Sequence, residues 1–401
     1  MFPSDSSGKK NGKQVILHFV SWYPSDENQV EGIFIQRQIE LITSNTAYTN
    51  IIVRKDVNPV SLFRHLMALM GSLKEGKTGS MKIVFLPENS NLYKIFFWRY
   101  RESFQKQILK RLVRKYKPNL VHLHVVYGFA TEAVYIKEKW GIPFIVSEHM
   151  GPFPFDWIQD KQTYVTKPMQ EAAAVISVSN AQAKQIVDFT GVTATVIPNV
   201  VNEKNFYYAE KIKVEDILQI VFAGIYTEKK GVDYLIRVLP SFLQSHPNCK
   251  LHLVGDAKPE RMLVIKKQIE KAGIKNVVQF HGQLTGSELC TLYQNSDFYV
   301  CSSEWESFGL SALEALFTGL PVLSTNCGGV PEFINSENGI IIANDQKEET
   351  LLNGLLQMTN QLSSFNRKEI AVAVSKKFSN NSIKEKYFSI YKKVLQTADQ
   401  S

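Results

Sequence analysis

Short apolar runs alternate with longer segments of helical spacing along nearly the whole chain, and this alternation narrows the possible folds more than any other feature. Strand-like runs fall at Val15–Phe19, Ile51–Arg54, Ile83–Leu86, Leu120–His124, Phe144–Ser147 and Val175–Val178. A second set follows at Gln219–Ala223, Leu251–Val254, Val277–Phe280, Phe298–Cys301, Val322–Ser324 and Gly339–Ile342. Helical segments, among them Phe34–Thr43 and Ala130–Lys139, lie between them. Strands separated by helices imply parallel sheets of the doubly wound α/β type. Ligands then bind at the carboxyl ends of the strands, in the loops that lead into the next helix. With 401 residues, 44% of them hydrophobic, the chain can bury two ordinary cores and is too long for one.

One such loop carries carboxylates where core residues are expected. Glu306-Ser307-Phe308-Gly309-Leu310-Ser311-Ala312-Leu313-Glu314 runs into a helix that is apolar on nearly every side from Leu310 to Phe317, which predicts that Glu314 is buried. A buried carboxylate needs partners, and a ligand rich in hydroxyls, such as a ribose, would satisfy both its oxygens. A glutamate complementing the helix dipole is the plainer alternative. Phe298 to Cys301 is the preceding strand, Ser302-Ser303-Glu304-Trp305 a polar turn, and Ser307 the expected N-cap. The amides of Phe308, Gly309, Leu310 and Ser311 then face outward at a helix start with small residues, a ready site for a diphosphate. The helix stops at Thr318-Gly319-Leu320-Pro321, and Gly328-Gly329-Val330-Pro331-Glu332 supplies a second glycine turn toward the same crevice.

The run Ser302 to Glu314, with Thr318-Gly319-Leu320-Pro321-Val322 and Gly328-Gly329-Val330-Pro331-Glu332, resembles the nucleotide-sugar site of the retaining glycosyltransferase family 4. The resemblance extends from Ser21-Trp22-Tyr23-Pro24 to the last helix. It implies the GT-B architecture: two Rossmann-like doubly wound domains facing across a cleft, with a C-terminal helix returning to the first. The division expected is a disordered leader over 1–12, an acceptor domain over 13–200 plus 380–401, and a nucleotide-sugar domain over 201–379. Ile197 to Val201 and the polar residues to Asp216 mark the join. In the last helix Ile383, Tyr387, Ile390, Tyr391 and Val394 recur at helical spacing.

The resemblance also assigns roles. Phe222-Ala223-Gly224-Ile225-Tyr226-Thr227-Glu228-Lys229-Lys230-Gly231 is a strand, a glycine turn and a lysine at a helix start. Lys230 would hold the donor diphosphate, although a solvated lysine fits the same residues. Family members carry an arginine after the glycine; here that position is Ile225, which leaves Lys230 to carry the phosphate charge more alone. His149, at the end of a strand and before Gly151, would contact the donor sugar and the reaction centre, whereas His124 reads as structural. Gly32, within Val30-Glu31-Gly32-Ile33-Phe34, would let backbone approach the phosphate, and a plain helix-start turn is the alternative. Gly255 and Gly282 to Leu284 match positions that line the base and ribose, and ordinary strand-to-helix turns fit both equally. Glu306 would hold sugar hydroxyls, Glu314 the ribose.

Together these imply a retaining, metal-independent transfer from a UDP- or GDP-sugar to a saccharide or lipid-linked saccharide, with no cofactor beyond the donor. No Asp-x-Asp motif is present, which fits fixed donors in place of a cation. Two other functions remain open at this point: an epimerase of the same architecture, and a non-catalytic nucleotide-binding partner subunit, which Ile225 makes conceivable.

Charge and composition bound the setting. The net charge of +8 falls entirely within residues 1–200. Much of it lies in 93–117, where Lys94, Arg99, Arg101, Lys106, Lys110, Arg111, Arg114, Lys115 and Lys117 alternate with apolar residues in a basic amphipathic pattern. That pattern suits either an anionic membrane surface or the solvated face of an ordinary helix. Residues 60–73 are a second candidate for lipid or acceptor contact. No motif for nucleic acid accompanies the charge. Cys249, Cys290, Cys301 and Cys327 lack paired spacing, which argues for free thiols rather than a disulfide framework or zinc site. No apolar run of membrane-spanning length and no signal-peptide core occurs, so the location expected is cytoplasmic, with peripheral contact at the inner face of the membrane.

Overall fold

The computed structural model describes residues 13–25, 30–45, 47–56, 67, 73–78, 81–87, 101–211, 217–398 and 400. The expected leader, residues 93–100 of the basic stretch, nearly all of 60–73 and the end of the join at 212–216 lie outside them. The described chain forms two compact units. One comprises 1–148, 158–176 and 387–401, and the other 149–157 and 177–386. By contacts, therefore, residues 177–200 group with the second unit.

The first sheet holds strands β1 (Gln14–Val20), β2 (Tyr48–Asp56), β3 (Lys74–Thr78), β4 (Met81–Pro87), β5 (Leu120–His124), β6 (Phe144–Glu148), β7 (Ala174–Ser177) and β8 (Thr195–Val196). They lie in the order β3-β4-β2-β1-β5-β6-β7-β8. The β1–β2, β1–β5, β2–β4 and β5–β6 pairs are parallel, and β3 is antiparallel to β4. Strands β5 and β6 are buried along their whole length, as an interior parallel sheet covered on both faces requires. All six strands expected here are present. Two were not expected: β3, whose Lys-Glu-Gly-Lys-Thr is polar throughout, and the two-residue β8.

The second unit holds β9 (Leu218–Ala223), β10 (Cys249–Val254), β11 (Val278–Gly282), β12 (Phe298–Cys301), β13 (Val322–Thr325) and β14 (Gly339–Ile342). Their order is β11-β10-β9-β12-β13-β14 and every pair is parallel. Sequence order thus reverses between β9 and β12, the point in a doubly wound sheet where successive loops part and leave a crevice at the carboxyl ends. In the first sheet the reversal falls between β1 and β5.

The helix Arg101–Tyr116 covers the described part of the basic stretch, and its Ile108, Leu109, Leu112 and Val113 are buried. The apolar stripe is spent on the unit's own core, so only the basic face is left for outside contact. The last helix is Asn380–Ala398, and its Tyr387, Tyr391, Val394 and Leu395 are buried. Among the described residues no helix is long and apolar enough to cross a membrane.

Candidate functional site

The loops leaving β9 and β12 cross at the reversal point of the second sheet. After β9 the chain makes a short helix, Glu228–Lys230, closed by Gly231 at φ 73°. An added Cβ at Gly231 would lie 1.9 Å from the Ser302 carbonyl oxygen, so only glycine lets the two backbones pass. The crossing is held by Ser302 Oγ, which donates to the Gly231 carbonyl at 2.8 Å, and by the Glu304 N–H, which donates to the Lys229 carbonyl at 2.8 Å. The strand ends are tied in the same way. Gly224 N–H donates to the Val254 carbonyl at 3.0 Å, Gly255 N–H to the Gly282 carbonyl at 2.7 Å, and a Cβ on Gly255 would meet the Gly224 oxygen at 2.0 Å.

This crossing brings Lys230 to Glu306. Lys230 Nζ donates to Glu306 Oε1 at 2.7 Å and to Oε2 at 2.8 Å, and Ser303 Oγ donates to Oε1 at 2.8 Å. The lysine side chain is 34% exposed and the glutamate 14%, so the pair borders solvent. Burial works against the charge of Lys230, but the attraction of Glu306 and their hydrogen bond outweigh it and hold the ammonium above its ordinary range. Glu306 is fixed through its backbone too. Its N–H donates to the Cys327 carbonyl at 3.0 Å and its carbonyl accepts from Gly329 N–H at 2.9 Å. A Cβ on Gly328 or Gly329 would strike this loop at 2.4 or 2.5 Å, which gives the second glycine turn a physical cause.

The helix Leu310–Phe317 follows, with Ala312 through Phe317 buried. Glu314 is 4% exposed. It lies close enough to Tyr293 that its charge adds to the effect of burial in raising that phenol well above its ordinary range. The expected N-cap is corrected: the cap position is Gly309 at φ 89°, with no side-chain capping bond. Ser307 is turned into the loop, where its carbonyl accepts from Ser179 Oγ at 2.5 Å. Gly309 is required because a Cβ there would lie 2.2 Å from Val330 Cγ2. Phe308 is a core residue, packed against Phe333 and Phe378, while Leu310 and Ser311 open the helix.

His149 begins the segment 149–157, which groups with the second unit. Its imidazole is buried, with Nδ1 3.1 Å from Asn199 Oδ1. Burial pulls its pKa down to about 4 against the opposing Asn199 bond, so the ring is neutral at neutral pH. Two residues on, a Cβ at Gly151 would lie 2.3 Å from Trp305 Nε1 and 2.5 Å from Ser307 Oγ, and the segment is thereby seated on the loop that carries Glu306.

Gly224, Gly255, Lys230, Glu306 and the Phe308–Glu314 segment therefore gather around one end of the second sheet. Leu284 packs partly buried against the same core, and Ile225 is 61% exposed. Gly32 belongs to the first unit. At φ 68° it caps the helix Ile33–Thr43, and a Cβ there would meet the backbone of Trp22 and Tyr23 within 2.8 Å. His124 lies in a buried cluster with His18 and His122. Among its contacts His18 Nδ1 is 3.0 Å from His124 Nε2, and His122 lies between the Tyr391 hydroxyl at 2.6 Å and Ser147 Oγ at 2.8 Å. Sequence reasoning missed Ser303 and Asn199. Neither stands in a spacing that would single it out.

Two doubly wound α/β sheets of this topology are the architecture of the GT-B fold class. The family described as Glycosyl transferases group 1 matches residues 204–368, and Glycosyltransferase Family 4 matches residues 83–205. The chain belongs to these glycosyltransferases. It is similar to an uncharacterized glycosyltransferase of Methanocaldococcus jannaschii, 33% identical over 42% of this chain and 47% of that one. The chain spans about half the length of the curated relatives it matches first. The fold is similar to that of sucrose-phosphate synthase from Thermosynechococcus elongatus, with TM-score 0.73 and 16% identity over 96% of this chain and 100% of that one. It is also similar to that of Anabaena HepE, solved in complex with UDP and glucose, with TM-score 0.72 and 17% identity over 95% and 100%.

Proposed function

We propose that the chain transfers a sugar, with retention of anomeric configuration, from a nucleotide-diphosphate donor to a saccharide or lipid-linked saccharide acceptor. The observation that carries this reading is the Lys230–Glu306 pair, held by Ser303 at the reversal point of the second sheet. Departure of the nucleotide concentrates negative charge on its diphosphate. Lys230, held in its charged form and set beside the helix that begins at Leu310, stabilises that charge without a metal or other cofactor. Glu306 accepts from hydroxyls of the transferred sugar, and Glu314 from the ribose. His149, neutral because it is buried, serves as a hydrogen-bonding partner near the reacting carbon rather than as a charge. Gly224, Gly255 and Leu284 line the nucleotide, and the amides from Phe308 to Ser311 add to its phosphate field. That the Anabaena neighbour was solved with UDP and glucose supports a nucleoside-diphosphate donor. A cytoplasmic enzyme whose outward basic face over 101–117 rests on anionic lipid belongs to the same reading.

The test is turnover of a panel of UDP- and GDP-sugars, after each has been ranked by the rise in melting temperature it causes through mass action. A stabilising donor that is consumed with acceptor and gives glycoside product agrees with the proposal. Consumption to an isomeric nucleotide sugar without acceptor would make the chain an epimerase, and binding without any turnover would make it a nucleotide-binding subunit.

A further inference from the structure

Glu306 is the more firmly held of the pair. Its backbone N–H and carbonyl are both bonded to the Cys327–Gly329 turn, and Ser303 holds Oε1 from the other side. Ser303 is itself 2% exposed and anchored, its carbonyl accepting from Thr325 Oγ1 at 2.6 Å. Lys230, by contrast, is carried on a three-residue turn by a flexible stem whose Cδ lies 4.0 Å from where a Cβ on Gly224 would stand, and it is the more exposed partner. With the pair closed, two of the three ammonium N–H groups go to the carboxylate, and a diphosphate competes with it for the cation. A free nucleoside diphosphate then leaves Glu306 with Ser303 but without the cation that neutralised it. An intact nucleotide sugar replaces that cation with hydroxyl donors.

We infer that Glu306 is a specificity-determining residue that makes the site discriminate against the spent nucleotide in favour of the intact donor, with Ser303 as the positioning residue that keeps the carboxylate aligned while Lys230 is withdrawn. The inference rests on the donor reading above and deepens it.

Calorimetric titration of the full chain with UDP and with GDP, and then with the matching glucose and mannose donors, tests this directly. Glu306→Gln should bind the preferred nucleoside diphosphate about tenfold more tightly than the natural chain, since the competitor for Lys230 is gone. The same variant should lose most of the preference for nucleotide sugar over nucleotide. In a Lys230→Met background the substitution should have no effect on nucleotide affinity, an outcome that a general change in packing would not give. Ser303→Ala should lower kcat about tenfold with nucleotide affinity nearly unchanged, and Ser303→Thr should restore it. If Glu306→Gln binds the nucleotide no more tightly than the natural chain, the inference is wrong while the donor reading stands. If neither nucleotide binds either protein, both fall.

Discussion

The two sheets reverse strand order at equivalent places, yet they use their polar residues there in opposite ways. In the first sheet the reversing strands β1 and β5 place His18, His122 and His124 within the strands themselves, all 0% exposed, with nitrogens engaged by Asn50, Tyr391, Ser147 and one another. In the second sheet, β9 and β12 are apolar toward their carboxyl ends, and the charged residues Lys230 and Glu306 come only in the loops beyond, bordering solvent. A polar group inside a strand is closed off and must be satisfied by the protein, so it serves the fold. One placed past the strand end, on backbone that glycines allow to cross, can exchange its partner for a ligand.

That contrast can be broken most forcefully at Lys230. Lys230→Ala should lower transfer by about 100- to 1,000-fold with little change in melting temperature. Tyr391→Phe, which removes the hydroxyl beside His122, should do the reverse, costing about 1–3 kcal/mol of stability and leaving nucleotide affinity untouched. If either substitution behaves like the other, the division between site and scaffold is mistaken.

A sharper version compares glycines. Gly231→Ala forces a methyl into the Ser302 carbonyl at a positive φ and should destabilise the chain by about 3 kcal/mol or more. Gly141→Ala, at φ 67° with nothing within 4 Å of its added Cβ, should cost only about 1 kcal/mol. Urea denaturation of the two variants measures the gap.

The buried histidines make the scaffold sensitive to acid. His18 and His149 are each pulled down to about 4, by burial foremost. Between that value and the unfolded value of 6.5 the unfolded chain binds more protons than the folded one. Stability is therefore full above pH 6.5 and is lost as pH falls toward 4, by about 2 kcal/mol per histidine at pH 5. His18→Gln should flatten part of this slope in melting curves taken from pH 7.5 to pH 4.5.

Much of this was legible in the sequence, because the signals are local. Each of the twelve strands expected was a short apolar run, and burial of Glu314 followed from a helix with no polar side. The polar edge strand β3 carried no apolar signal, and the two residues of β8 were too few to give one. At the site, the residue types at Lys230, Glu306 and the glycine turns could be read. That Lys230 and Glu306 bond each other across 76 positions could not, because a contact of that range depends on two loops crossing. The cap at Ser307 was misplaced for the same reason: proximity of Val330 to Gly309, set by a distant turn, decides where the helix begins.

In the proposed reaction the donor diphosphate is held at the reversal point of the second sheet. A crystal structure of the full chain with its preferred nucleotide sugar measures this most directly. A phosphate oxygen within hydrogen-bonding distance of Lys230 Nζ is expected, with Glu306 still bonded to Ser303 and facing the sugar. A diphosphate bound elsewhere, with the Lys230–Glu306 pair still closed, would contradict it.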